Sequence, residues 1–213
     1  MILQGNQGQT GKQVGANLSL GFGEFSESLV SELQPRYYEQ AYRGQIFTIG
    51  TTAGSLTAYT GAAGGTPLLA VWNPAGSGKN LVVLQASAAI AAASSVAGNP
   101  CFRLYFGPTA AITQATVVAP FSTISGNATG SVAKAYQDVA TTSSTALNYL
   151  LTLGTYYWAT AAGAFAMTPL VQDFSGSILV PPGNMIAVGS SIATATMTSL
   201  AADAAFIWSE VAI

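Results

Sequence analysis

Residues 75–80 (AGSGKN) carry the glycines and the lysine of a phosphate-binding loop, and they follow an apolar run. Such a loop also needs an earlier glycine, five places before the glycine of the Gly-Lys pair, and a Ser or Thr after the lysine to hold magnesium. Asn73 and Asn80 occupy those two positions. Residues 81–84 (LVVL) then read as a strand and not as the helix whose N-terminus would face a phosphate. We therefore predict a hairpin loop and no nucleotide site.

Four carboxylates lie beyond residue 43: Asp138, Asp173, Asp203 and Glu210. Two of them, for example Asp138 and Asp173, could meet in space as the acid and base of a glycosidase. Asp138, Asp173 or Asp203 could also give oxygens to a calcium ion in a loop. No two of the four lie within five residues of each other, and the chain has no EF-hand. The sequence favours acids in solvated loops over either site.

The single cysteine, Cys101, opens the alternating segment 101–106 (CFRLYF), and the chain has no histidine. This excludes Ser-His-Asp triads, Cys-His dyads and zinc sites that contain histidine. One cysteine also excludes a disulfide framework, a cysteine-only zinc site and an iron–sulfur cluster. We predict that Cys101 is a buried structural thiol. We also predict that the chain is not an enzyme, with no catalytic, cofactor-binding or metal residues.

Charge is scarce, because 6 Lys and Arg and 8 Asp and Glu make up only 7% of the 213 residues, with a net charge of −2. About 25% is usual. A net charge of −2 does not indicate the positively charged surface that binds nucleic acid. Proteins of this size normally depend on surface charge for solubility, whereas the cores of interfaces are depleted in charge. The composition favours a subunit of a homo-oligomer over the alternative, a secreted β protein with a neutral surface.

A membrane segment has one candidate, residues 81–97, which are uncharged and close to bilayer length. The window contains Gln85 and three serines, its alanines are weakly apolar, and it begins with the β-favouring LVVL. We therefore predict no membrane span.

The first 20 residues lack the basic start and the apolar core of a signal peptide.

Seven of the 14 charged residues lie in residues 1–43, which sets the N-terminal part apart. We predict an extended N-terminal arm over residues 1–40 and a β-sandwich domain over residues 41–213. The Gly- and Gln-rich residues 5–15 should be extended or disordered until they meet a partner. Residues 26–34 (SESLVSELQ) can form a short helix that Pro35 would end. The arm is expected to tether the chain to a neighbouring subunit.

Short strands separated by Gly, Pro, Asn and Ser turns at fairly even spacing indicate an all-β sandwich or barrel. We predict strands at residues 45–50, 55–60, 67–72, 81–88, 101–106, 115–120, 132–137, 147–153, 156–160, 165–171, 176–180, 185–188, 192–197 and 205–211. Residues 181–184 (PPGN) predict a tight turn. The alanine- and serine-rich residues 88–99 predict a loop or a small helix.

Aromatic residues cluster at residues 37–38, 156–158 and 206–208. Adjacent residues of a strand point to opposite faces, so one ring of a cluster can enter the core while its neighbour faces outward. An outward ring at Tyr157 or Trp158 could belong to a carbohydrate-binding groove. Packing in the core and at an oligomer interface is the simpler interpretation.

Four segments resemble structural proteins of tailed-bacteriophage particles. They are residues 35–47 (PRYYEQAYRGQIF), 69–82 (LAVWNPAGSGKNLV), 178–184 (ILVPPGN) and 206–211 (FIWSEV). In those proteins the second segment is a turn that enters a strand, and the third precedes the last strands of a jelly roll. The resemblance implies a jelly-roll-like antiparallel β-sandwich in a virion component, and it brings no catalytic residues.

The resemblance and the composition together predict a capsid decoration or cement protein of a phage. It would be made in the host cytoplasm and form a homo-oligomer, with a trimer favoured, on the surface of the head. The arm would contact the major capsid protein or another virion protein. The alternative is a carbohydrate-binding tail, baseplate or fibre module of a phage.

Overall fold

A computed structural model describes residues 4–6, 17–19, 36–51, 54–55, 58–92, 99–110, 112–113, 117–127, 130–137, 142–157, 168–191 and 201–213. The chain divides into two compact units, Met1–Glu39 and Gln40–Ile213. In the first unit, strand β1 (Gln4–Asn6) pairs antiparallel with strand β2 (Asn17–Ser19). The helix predicted at residues 26–34 lies outside the described residues.

A short helix, α1 (Tyr38–Tyr42), precedes a long series of strands. In chain order the strands are β3 (Ile46–Gly50), β4 (Gly54–Ser55), β5 (Leu69–Asn73), β6 (Lys79–Ala92), β7 (Cys101–Pro108), β8 (Ile112–Thr113), β9 (Val117–Val118), β10 (Phe121–Ser122), β11 (Lys134–Gln137), β12 (Thr142–Ser143), β13 (Asn148–Thr155), β14 (Leu170–Val180), β15 (Asn184–Ser190) and β16 (Ala201–Ala212).

These strands build two antiparallel sheets. The first sheet has the order β10–β3–β16–β6–β14, and β4 also pairs with β16. The second has the order β13–β7–β15–β5–β11–β9, while β8 and β12 pair with each other. The fold is therefore the antiparallel β-sandwich that the strand pattern predicts.

The connections between the sheets follow the jelly-roll order. Eight strands run along the chain as β3, β5, β6, β7, β13, β14, β15 and β16, and they lie as β3–β16–β6–β14 in one sheet and as β5–β15–β7–β13 in the other. Two interlocked Greek keys of this kind define a jelly roll. The segment between β7 and β13 adds β10 to the first sheet and β9 and β11 to the second.

The main core lies between the two sheets, where alternate residues of each strand meet. Phe102 and Leu104 of β7 are fully buried there, as are Phe206 and Trp208 of β16. The Trp208 ring stacks on Phe47 with 6.3 Å between centroids. The gap beside Trp208 leaves no room for a water molecule, so the core is closely packed there.

A second, smaller cluster covers part of the outer face of the second sheet. It contains Tyr59, Ala70, Tyr105, Tyr136, Leu147, Met185 and Ala187. Tyr59 lies in the segment before β5, and its ring contacts Tyr105 edge to face at 4.9 Å. A Cβ atom on Gly189 would lie 2.6 Å from the Tyr59 ring, so this contact requires glycine there.

Several local predictions need correction. Residues 74–78 form a loop, with Gly76 and Gly78 at φ of 80° and 69°, and Lys79 and Asn80 already belong to β6. The predicted hairpin is wrong because β5 and β6 belong to different sheets. The loop is a corner of the sandwich. Asn73 fixes this corner, because its Nδ2 donates to the carbonyl oxygens of Lys79 at 2.8 Å and Val180 at 2.9 Å.

Two predicted strand boundaries are also wrong. Residues 88–92, predicted as loop or helix, continue β6, where Ala88 to Ala92 pair along β16. Residues 170–180 form one strand and not two, with an irregular register between Asp173 and Ile178. The strand predicted at 192–197 lies outside the described residues, as do residues 158–160 of the strand predicted at 156–160 and residues 165–167 of the one predicted at 165–171. The described residues 156–157 and 168–169 of those two predictions are not in a strand.

Candidate functional site

Glu210 is a buried acid of the sandwich, with no exposed side-chain surface. It pairs with Leu81 of the neighbouring strand β6. Like Leu81, it faces the interior between the two sheets. Its Oε2 accepts a hydrogen bond from Lys79 Nζ at 2.9 Å, and its Oε1 accepts from Ser131 Oγ at 2.6 Å and from the Val132 N–H at 2.9 Å. A buried carboxylate needs such partners. We call these four residues the Glu210 network.

The network serves structure, because both carboxylate oxygens already have donors. It ties together β6, β16 and the segment before β11. The prediction of a solvated loop is wrong for Glu210. The lysine of the 75–80 segment is also accounted for here: Lys79 begins β6 and pairs with a carboxylate, and no helix follows it.

The other acids that the structure describes in the sandwich, Asp173 and Asp203, are not brought together into a site. Asp173 is exposed on β14, and its Oδ1 accepts from the N–H of Ser175 at 2.7 Å. Asp203 is half-buried on β16, so neither acid lies in the loop that was predicted. Asp138 lies outside the described residues. In the described part of the chain no three His, Cys, Asp or Glu side chains are arranged to hold a metal ion.

A polar surface lies open on the outer face of the second sheet, at the edge formed by β7 and β13. Because Phe102 and Leu104 face the core, Cys101 and Arg103 face outward. Cross-strand pairing places Thr152 beside Arg103 and Thr155 beside Cys101. We call these four outward residues, together with Tyr149, the Arg103 surface.

Arg103 is held in place by an aromatic ring. Its guanidinium carbon lies 5.3 Å from the centroid of the Tyr149 ring, which is within the range of a cation–π contact. The Tyr149 hydroxyl is 2.8 Å from Thr152 Oγ1, and the ring meets Tyr105 edge to face at 6.4 Å. Tyr149 is nevertheless 55% exposed, so the surface is open to a ligand.

Cys101 is half-buried on this surface, and the prediction of a buried thiol is wrong because the alternation of β7 turns it outward. Partial burial raises the pKa of the thiol. Hydrogen bonds with Thr155, Arg103 and Ser191 and the positive charge of Arg103 outweigh that effect, so the pKa lies below its ordinary value. Thiolate is therefore present at lower pH than in a free cysteine.

We expect this shift to appear in alkylation kinetics. Reaction of Cys101 with iodoacetamide should show a midpoint pH below that of free cysteine, and Arg103→Gln should raise the midpoint because it removes a hydrogen bond and a positive charge. Lys134→Gln is the matched control, since Lys134 also stacks on an aromatic ring, at 5.9 Å from the centroid of Trp72. An unchanged midpoint in Arg103→Gln would show that Arg103 does not tune this thiol.

Of the two rings predicted for a carbohydrate groove, Tyr157 is 77% exposed and Trp158 lies outside the described residues. Tyr156 turns the other way and contacts Phe102 edge to face at 5.9 Å. Sequence reasoning did not identify Arg103 and Tyr149 as a pair, because β7 and β13 pair only in the folded chain.

The first sheet presents a different outer surface. Leu179 and Val171 of β14 are 53% and 56% exposed. Leu179 pairs with Val82, and Val171 pairs with Ser87, which in turn pairs with Ala205. Directly opposite residues share a face of a sheet. These five neutral residues form what we call the β14 face.

No model of a known protein family matches the chain, and neither a curated protein nor a solved structure matches it. Among the residues that the structure describes, no helix is both long and apolar enough to cross a membrane. Residues 79–92, within which the candidate membrane window begins, form a strand.

Proposed function

We propose that the chain is a structural subunit of a virus particle. It acts as a capsid decoration or cement protein that forms a homo-oligomer on the head of a phage, with a trimer favoured. The jelly-roll order of the strands supports this proposal as a fold that capsid proteins use. Fold alone does not define a function, and the outer surface of the first sheet supplies the more specific support.

The β14 face is the observation that carries the proposal. It combines the exposed Val171 and Leu179 with small neutral side chains, and β14 ends its sheet. A terminal strand leaves main-chain donors and acceptors unpaired, and apolar side chains beside such an edge favour pairing with another chain. We assign a second copy of this chain as the occupant.

Charge supports a second copy over an oppositely charged partner. The net charge is −2 over 213 residues, so copies repel each other little. The five side chains of the β14 face are neutral, although the exposed carboxylate of Asp173 lies on the same strand, opposite Gln85 and between Val171 and Leu179. Most homo-oligomers are closed and symmetric, and a ring forms when one surface binds a different surface of an identical subunit through a rotation that closes.

The N-terminal arm is the proposed contact with the shell. Met1–Glu39 forms a compact unit of its own, and it contains the paired β1 and β2. In this proposal the arm binds the major capsid protein or another virion protein, and the sandwich faces outward. Antibodies against the chain should then label the outside of purified particles that contain it.

Leu179→Lys tests the interface. The substitution places a charge on the β14 face, where burying it against a second copy is costly, so the oligomer should dissociate at least tenfold more readily. Ile124→Lys is the matched control, because Ile124 is 58% exposed in a turn at the opposite edge of the same sheet. Sedimentation equilibrium measures both variants. Equal association of Leu179→Lys and the unmodified chain would contradict this interface.

The alternative function is a carbohydrate-binding tail, baseplate or fibre module. One observation favours it: the Arg103 surface, with an exposed tyrosine and two threonines, lies on the sheet that the proposed interface does not use.

A further inference from the structure

The Arg103 guanidinium has no carboxylate partner among the described residues. The ionisable groups that hydrogen-bond to it are Cys101 and Tyr105, both neutral when protonated. Its Nε is buried and makes no hydrogen bond within the described part of the chain. An arginine fork matches the two oxygens of a carboxylate, and a charge-assisted pair of this kind is among the stronger hydrogen-bonded contacts.

The groups around Arg103 are hydroxyls and an aromatic ring. Thr152 lies across from Arg103 on β13, and Thr155 and Ser191 lie beside Cys101. These hydroxyls both donate and accept hydrogen bonds, as the hydroxyls of a sugar require. Tyr149 adds an exposed apolar surface that the ring of a sugar can cover.

We propose that the Arg103 surface binds an acidic saccharide, with Arg103 on the carboxylate and the neighbouring threonines on sugar hydroxyls. One cation among neutral groups suits a ligand of one carboxylate per sugar better than a phosphate, which would carry more charge. The inference goes beyond the structural role and does not depend on it. The Arg103 surface and the β14 face lie on different sheets of the sandwich.

Calorimetry at low salt with the full chain tests the proposal. Trigalacturonate, an oligosaccharide with carboxylates, should bind, and neutral maltotriose should not. Arg103→Gln should weaken binding about tenfold or more, and Arg103→Lys should also weaken it, because an ammonium lacks the fork. Lys134→Gln, which removes a cation from a ring elsewhere on the same sheet, should bind as the unmodified chain does.

A second readout needs no substitution. Cys101 lies beside Arg103, so bound trigalacturonate should slow its reaction with iodoacetamide, whereas maltotriose should leave the rate unchanged. Failure of trigalacturonate to bind or to protect Cys101 would overturn the proposal. An equal loss of trigalacturonate binding in Lys134→Gln and Arg103→Gln would also overturn it. Binding by the Leu179→Lys variant would separate this site from the oligomer interface.

Discussion

Replacing Lys79 by methionine is expected to lower the free energy of unfolding by about 3 kcal/mol, because it leaves the charge of Glu210 buried without its cation. This value is at the low end for a broken buried ion pair, since the Lys79 side chain is 36% exposed. Ser131 and Val132 still donate to the carboxylate. Urea unfolding followed by tryptophan fluorescence measures the loss.

The double variant identifies the cause. Glu210→Gln in the Lys79→Met background removes the uncompensated charge and keeps an acceptor for Ser131 and Val132. We therefore expect it to be more stable than Lys79→Met alone, which is the behaviour of coupled neighbours in a double-mutant cycle. Simple addition of the two single losses would contradict the role assigned to the Glu210 network.

Replacing Trp208 by alanine is expected to lower the free energy of unfolding by about 3–5 kcal/mol, the usual loss for truncating a buried aromatic ring. Trp208 is 1% exposed and stacks on Phe47. The surrounding core has no room for a water molecule, and β6 and β16 restrict its collapse, so a cavity should remain.

Phe121→Ala is the control for this prediction. Phe121 is also aromatic and belongs to the same sheet, but it is 43% exposed on the short edge strand β10. Its truncation should change stability by less than about 1 kcal/mol. Thermal and urea unfolding of both variants measure the difference, and equal losses would show that Trp208 is not a principal core residue.

Alternation along the chain was enough to predict the sandwich. In residues 45–50 and 101–106 the core residues fall on alternate positions, with Phe47 and Ile49 in the first segment and Phe102 and Leu104 in the second, and both segments are strands. The pairing of the strands was harder to predict from the sequence than their positions. The loop before Lys79 has the glycines of a hairpin turn, yet it connects two sheets, because β5 and β6 each pair with strands that are distant in the sequence.

The surfaces were harder to predict than the strands. Glu210 and Lys79 are 131 positions apart, and Arg103 meets Tyr149 only after β7 and β13 pair. Alternation did predict that Cys101, Arg103 and Tyr105 share a face, but not that this face points outward at Cys101. Neither the ion pair nor the Arg103 surface can be recognised from a single segment of the sequence, because the partners lie in distant segments.

The most direct test of the proposed role is the mass of the full-length chain in solution, measured by sedimentation equilibrium over a range of concentrations. The proposal predicts a stable closed oligomer, with a mass three times the 21.6 kDa of one chain favoured. A monomer at every concentration would contradict a self-assembling decoration protein.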